Sequence, residues 1–583
     1  MANQAARGGS APRGPAPGGP APGGSAPGPI DPASSPKWAL GGRIVTMDAN
    51  STVVMDGVVW IADAAIAAIT QAGDPSPDGF DGIAPVQTGG TVIPGLIELH
   101  NHIAYNLLPL WQVPQLYTNR DTWGNSDQYH QLVTAPMKTI GEATELLPAL
   151  VRYVECKALV GGVTTTQGIA LFSAPGVRRY YRGIVRNVEE TGDPQLPQAG
   201  SRIADVDASD PQAFLTEIEA KKCFLLHLSE GTDEAAHKHF EALQLAGAKW
   251  AIAPSLAGIH CVALQPADFE VMAAHGASMV WSPFSNLLLY GQTANVAAAV
   301  AAGGSGPARP ALKIGLGSDW SPSGSKSLFG ELKVARVYSQ NNGNPFSDEQ
   351  LVRMATLEAA QILSWDQELG SLEPGKRADL VVVAGQDDAE PVKPLFGGDE
   401  RTVQLVAING TPRYGTPALM VTDGPGLEML TVGGEQRVLY LTQATEDPDV
   451  AALGYGAAQT QLENALGNLK SMRLEQEAAV PRGAEPETLA GAPAVRARHP
   501  RLALDEFEHT DFTQRPHLRL GGVATGPTDR PQATRPGEPV SALLGPVQLD
   551  PLTVADDPTW LQRVTAETNL PGYLAEGLRT LYG

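Results

Sequence analysis

The sequence predicts an α/β fold: a (β/α)8 TIM-type barrel with a small composite β-sandwich built from its flanking segments, plus a C-terminal extension. Three observations carry this. Over 96–369, apolar strand-like runs alternate with helical stretches, the pattern of parallel strands joined by crossover helices, at a length that suits eight such units. Two Val- and Ile-rich patches flank that region, so the chain leaves a small sheet and later returns to it. Finally, 583 residues are too many for one hydrophobic core but suit a barrel with appended modules.

Residues 1–37 are Pro-, Gly- and Ala-rich low-complexity sequence, expected to be a disordered tail. "WALGGRIVTMD" and "GVVWIADAAIAAI" begin the first part of the sheet domain, 38–95. "GKRADLVVVAG" and "VQLVAINGTPRYG" supply the second, 370–430. In the barrel, "GGVTTTQGIALF" precedes a helix expected over 176–191, and "KKCFLLHLSEG" precedes one over 232–247. "WAIAPSLAGIHCVAL" precedes "QPADFEVMAAHG"; "ASMVWSPFSNLLL" and "ALKIGLGSDW" follow, and helices over 347–365 end the series. The extension, 431–583, reads as helical near its start, Pro-, Arg- and Gly-rich over 478–550 with part disordered, and helical again at its end. It carries no chemistry motif, and packing over the barrel or an interface is its expected role.

A net charge of −22 argues against a general nucleic-acid binder, which needs a basic footprint. Three scattered cysteines without a C-x-x-C pair exclude a disulfide framework and sulfur-ligated zinc. No apolar run reaches 18 residues and no signal-peptide h-region opens the chain, so the expectation is a cytoplasmic protein with neither membrane nor nucleic-acid partner. A small-molecule substrate is expected, and homo-oligomerisation is left open.

The stretch "LIELHNH" puts His100 and His102 on one face at the end of a strand, because residues i and i+2 share a side. Two imidazoles so placed can share one divalent ion; two loop histidines are the plainer alternative. The second H-x-H, His237 and His239, lies in a helical stretch where the two point about 200° apart, so it reads as solvated surface. Three further strand runs end in His227 (with Glu230 three residues on), His260 and Asp319. Taken singly, His227 or His260 is accounted for by a structural hydrogen bond. Four such ends in order are not, since barrel active sites gather at the carboxyl ends of the strands.

These motifs, "VIPGLIELHNH", "LLHLSEG", "GIHCVALQPADFEVMAAHGASMVWSPFSNLLL", "GLGSDW" and "LGSLEPGKRADLVVV", resemble those of the amidohydrolase superfamily, in its deaminase- and chlorohydrolase-like branch. The resemblance spans roughly 38–415. It implies that His100, His102, His227 and Asp319 bind one divalent metal, with Asp319 also taking a proton from the attacking water. It implies that Glu230 shuttles protons and that His260 stands beside that water. No lysine ends a middle strand, which favours one metal over two. Three imidazoles and a carboxylate suit zinc or iron(II), and zinc is expected on prevalence.

The implied activity is hydrolysis of a non-peptide C–N bond, foremost deamination of a heterocycle. The alternatives are hydrolysis of a cyclic amide or imidazolone, dechlorination of a triazine, or a silent barrel used for binding and assembly. One departure stands out: Trp281 occupies the place of a family histidine in H-x-P-x-S-N, read as an aromatic wall that disfavours a standard purine deaminase. Ser285 and Asn286 are expected to brace the site, and the loop after His102 to form a pocket wall with Trp111 and Arg120. The segment after Asp319 offers Ser321, Ser323 or Lys326 as further ligand contacts.

Overall fold

A computed structural model describes residues 28–168, 183–202, 210–247, 249–304, 311–443, 448–479 and 539–582. Of the disorder expected over 1–37 and within 478–550, residues 1–27 and 480–538 fall outside them; residues 28–37 and 539–550 correct the expectation, since Ile30, Leu549 and Asp550 are buried. The chain opens with β1 (Lys37–Val45), β2 (Val53–Ala62), β3 (Ala65–Gln71) and β4 (Val86–Pro94). It continues through β5 (Leu96–Glu98), β6 (Val163–Thr166), β7 (Arg186–Asn187), β8 (Gly200–Arg202) and β9 (Phe224–Leu228). A two-strand ribbon, β10 (Gln244–Leu245) and β11 (Lys249–Trp250), precedes β12 (Leu256–His260), β13 (Ser278–Trp281) and β14 (Lys313–Leu316). The last strands are β15 (Leu380–Ala384), β16 (Val403–Ile408), β17 (Thr411–Gly415), β18 (Leu427–Val432) and β19 (Glu435–Tyr440).

The flanking patches meet in one nine-stranded sheet, ordered β18-β19-β17-β16-β15-β4-β1-β2-β3. Its seam is the antiparallel pairing of β15 with β4, from Leu380 opposite Pro94 to Ala384 opposite Gly90. Alternate residues of β15 serve two cores: Leu380 and Val382 join Leu40, Val59 and Leu405, while Val381 and Val383 join the large cluster of the α/β region. Burial on both faces explains why this strand reads as an unbroken valine run. The sheet continues to Tyr440 through β18 and β19. Ahead of β1, Ile30 is buried and pairs with Met420.

The α/β region holds the eight expected parallel strands, but among the described residues they do not close a single barrel. β5-β6-β7 form one parallel sheet and β14-β13-β12-β9-β8 another. β7 and β8 are two and three residues long, too short to sustain a ladder between them. Backbone hydrogen bonds cross both gaps: Ala199 N to Val188 O at 2.8 Å at the first, and Leu99 N to Leu316 O (3.3 Å), Asp319 N to His100 O (3.0 Å) and His102 N to Asp319 O (2.6 Å) at the second. Close approach at the second gap needs glycine, because a Cβ on Gly317 would lie 2.4 Å from the Cβ of His100.

One helix expectation is corrected. Of 176–191, residues 183–191 carry β7, and 176–182 are outside the described residues. Arg186 is drawn to Asp379 (2.7 Å), Thr165 and Asn409, and Val188 N bonds Thr166 O, so tertiary pairing outweighs helix propensity. In the extension, the helix Tyr455–Gly467 packs on Leu147–Val160, and Gly572–Tyr582 packs on Leu328–Asn341. No helix among the described residues is long and apolar enough to cross a membrane.

Candidate metal and proton-transfer site

The strand ends bring five of the predicted polar residues together. His100 and His102 follow β5, His227 lies in β9, His260 ends β12, and Asp319 follows β14. His100 Nε2 lies 3.1 Å and His102 Nε2 3.6 Å from Asp319 Oδ1, and His102 Nε2 lies 3.3 Å from His227 Nε2. His100, His102 and Asp319 offer ligand atoms to one ion, as do His100, His227 and His260.

The backbone accepts strain to achieve this. Ser229, His260, Cys261 and Asp319 all have positive φ, between 53° and 68°. Non-glycine residues there cost of order 1–3 kcal/mol each, less for Asp and His, and persist only when neighbours impose them. Here they do: Cys261 N donates to Leu228 O, and Asp319 N donates to His100 O while Asp319 O accepts from His102 N.

The electrostatics are those of a cation site. Burial lowers the pKa of His100, and drives those of His227 and His260 well down, further depressed by the neighbouring imidazoles. Burial would raise Asp319, but His100, His260 and His102 hold it far below the carboxylate range. Neutral imidazoles and an ionised carboxylate are metal-ready donors. His100, His102 and Asp319 converge on one point, and the nitrogens of His100, His227 and His260 lie close enough to share an ion. The residues present therefore fit a divalent metal.

Beside the cluster, Glu230 is buried, and burial pushes its carboxyl up to about 7 against the pull of Arg120; the charge of Asp319 adds to the rise. Tyr290 OH donates to Glu230 Oε1 (2.7 Å) and accepts from Trp123 Nε1 (2.7 Å). Glu230 Oε2 lies 3.7 Å from His260 Nε2. The orientation of His260 is set from behind. Trp281 Nε1 donates to Thr293 Oγ1, which donates to Asn286 Oδ1, which leaves the Asn286 amide to donate to His260 Nδ1 at 2.9 Å. With Nδ1 accepting, neutral His260 carries its proton on Nε2, facing the site.

The other expectations fare differently. Trp281 is fully buried against Tyr338 and Phe346, away from the site, and acts through Thr293 instead of forming a pocket wall. Arg120 lines a cavity of about 20 Å³ with His227, Glu230 and His239, room for one water. Trp111 is buried among Tyr117 and Tyr129. Ser285 and Ser323 bond each other at 3.0 Å, Ser321 Oγ accepts from Lys157, and Lys326 donates to Asp550. His237 pairs with Asp268 at 2.8 Å, so it is not free surface. Sequence reasoning missed Tyr290 and Trp320. The Trp320 ring stands 5.7 Å from His102 and 4.9 Å from Tyr105. Its position directly after Asp319 was the available signal.

The amidohydrolase family model matches residues 224–413. The chain is 25% identical over 429 residues to a 5-methylthioadenosine/S-adenosylhomocysteine deaminase from Symbiobacterium thermophilum, covering 66% of this chain and 91% of that enzyme. It is 22% identical over 375 residues to a 5'-deoxyadenosine deaminase from Methanosarcina mazei, covering 58% and 82%. Its fold is similar to that of the zinc complex of an atrazine chlorohydrolase from Arthrobacter aurescens (TM-score 0.52, 18% identity, 66% of this chain and 97% of that one). It is also similar to a zinc-bound adenosine deaminase from Xanthomonas campestris (TM-score 0.50, 19% identity, 68% and 96%). Over the matched residues the chain is thus similar to the amidohydrolase family and, across about two thirds of its length, to relatives named as deaminases.

Proposed function

We propose that this protein is a divalent-metal-dependent hydrolase of non-peptide C–N bonds that deaminates a small heterocycle, with His100, His102, His227 and Asp319 as the metal ligands. The observation that carries the reading is the gathering of His102 and His227 Nε2, 3.3 Å apart, beside Asp319 and His100, a donor set suited to one cation. Deaminase-named relatives support the reaction class, and zinc-bound structures of similar fold support zinc, with iron(II) the alternative. We also read the two parallel sheets as one eight-stranded barrel, because hydrogen bonds cross both gaps between them.

A bound divalent cation supplies Lewis acidity that lets water ionise near neutral pH. Asp319, ionised at any working pH, takes the proton that water releases. Glu230, half-protonated near neutrality, passes a proton to the departing amine or to the ring nitrogen beside the attacked carbon. His260 donates from Nε2 toward the charge that develops there. Buried aromatic rings around Trp320 exclude bulk water.

Glu230→Gln separates the roles. The variant is expected to keep its metal, measured by elemental analysis, and to lose ammonia release roughly 10²–10⁴-fold on an aminated-heterocycle panel. Unchanged rates would remove Glu230 from proton transfer. Release of chloride, or ring opening without ammonia, would replace deamination with the triazine or cyclic-amide reaction.

A further inference from the structure

The C-terminal segment carries a second buried ionic cluster directly behind the site. Asp550 has a fully buried side chain lying between two buried lysines. Lys157 Nζ donates to Asp550 Oδ2 at 2.5 Å and Lys326 Nζ to Oδ1 at 2.6 Å. Lys326 also pairs with Asp557 at 3.0 Å, so two cations and two anions close the cluster.

Its connections reach the loops that carry the metal-site residues. Lys157 also donates to Asn106 O (2.9 Å) and Ser321 Oγ (2.8 Å). Asn106 lies four residues after His102, and Ser321 two after Asp319. The Asn106 side chain closes the triangle, accepting from Ser321 N and donating to Asn101 Oδ1. Asp550 N bonds Leu107 O, and Asp550 O accepts from Tyr153 OH.

We propose that Lys157 and Lys326 form a carboxylate-binding pocket that Asp550 fills from within the chain, and that this occupancy makes Asp550 a positioning residue for the loops bearing His102 and Asp319. A lone ammonium buried there would be costly, and either lysine without its carboxylate would seek solvent or another anion. Lys326 would carry with it the loop after Asp319, and Lys157, fixed in the helix Leu147–Val160, would loosen its hold on Asn106 and Ser321. The extension is therefore a working part of the site and not a separable appendage. A small free carboxylate matches the chemistry of the pocket once the side chain of Asp550 is removed.

The role of Asp550 in turnover rests on the proposed hydrolase reading; occupancy of the pocket does not. The test is Asp550→Ala in the full chain, with sodium formate titrated against sodium chloride at equal ionic strength. The variant is expected to melt at lower temperature than the parent, and formate to raise its melting point saturably while chloride does not. Formate should also restore at least half of a tenfold or greater loss in turnover, acting on kcat more than KM, and leave the parent unaffected. Parent-like melting and turnover in Asp550→Ala, or formate no better than chloride, would overturn the proposal. If the variant does not accumulate folded, refolding from urea decides: recovery in formate alone supports the pocket, and recovery in both salts or in neither overturns it. Should no substrate be found, the melting experiment still judges the pocket while the hydrolase reading fails separately.

Discussion

Two buried polar clusters share the loops after β5 and β14, and they are built to opposite rules. Around Lys157 and Lys326 the chain supplies both signs of charge, and every charged group finds its partner within the protein. Around His100 and His227 it supplies donors only: imidazoles made neutral by burial and a single carboxylate. A complete cluster is a fastening, and an incomplete one is a binding site. Converging donors of one kind, with no opposite partner among them but each other, mark what must come from outside.

Breaking the two clusters should therefore give opposite results. The largest effect on activity is expected from His227→Ala. It should abolish co-purification of metal and lower turnover by more than the roughly 10–100-fold typical of losing an outer partner. Its metal-free form should lose less stability to urea than Asp550→Ala does, since His227 Nδ1 has no hydrogen bond to lose and no charge is left unpaired. Asp550→Ala should instead cost about 3–5 kcal/mol of folding stability in either form, as expected when one member of a buried pair is removed. Equal destabilisation of the metal-free proteins by the two changes would end the comparison.

Tyr290→Phe tests a mixed case, a fastening that touches the chemistry. It removes the donor to Glu230 Oε1 and leaves Trp123 Nε1 without its acceptor. A loss of about 1–3 kcal/mol is expected, read as a fall of roughly tenfold or more in kcat with little change in KM. A change confined to melting temperature would make the Tyr290 bond purely structural.

The smallest effect on activity concerns Glu331, which accepts from Phe284 N at 2.8 Å and bonds Ser325 near the helix Pro283–Tyr290. Burial pushes its carboxyl up to about 8, above an ordinary value of 4.5. Between those values the folded chain keeps a proton that the unfolded chain has released. Its stabilising contribution is thus full below pH 4.5 and is lost as pH rises toward 8. Glu331→Gln should flatten that fall in urea midpoints measured from pH 5 to pH 8.

The features legible in the sequence were local ones. A strand of period two places His100 beside His102, and an apolar run that stops at His227, His260 or Asp319 announces a strand end. Both follow from backbone geometry within a few residues. Trp281 shows the limit. Its identity marked a departure, but its side chain faces Tyr338 and Phe346, and whether it belongs to wall or core depends on these residues far along the chain. The helix expected through Arg186 failed for the same reason, because the partner that holds the residue extended is Asp379.

The sequence by itself determined which residues could ligate a metal and that they would gather at one end of parallel strands. The side on which Trp281 lies, the tautomer of His260, the partner of Glu230 and the seat of Asp550 were decided only by tertiary structure. Those depend on contacts such as Lys157 to Asp550, 393 residues apart, where no local periodicity operates and only burial in a shared interior selects the pair.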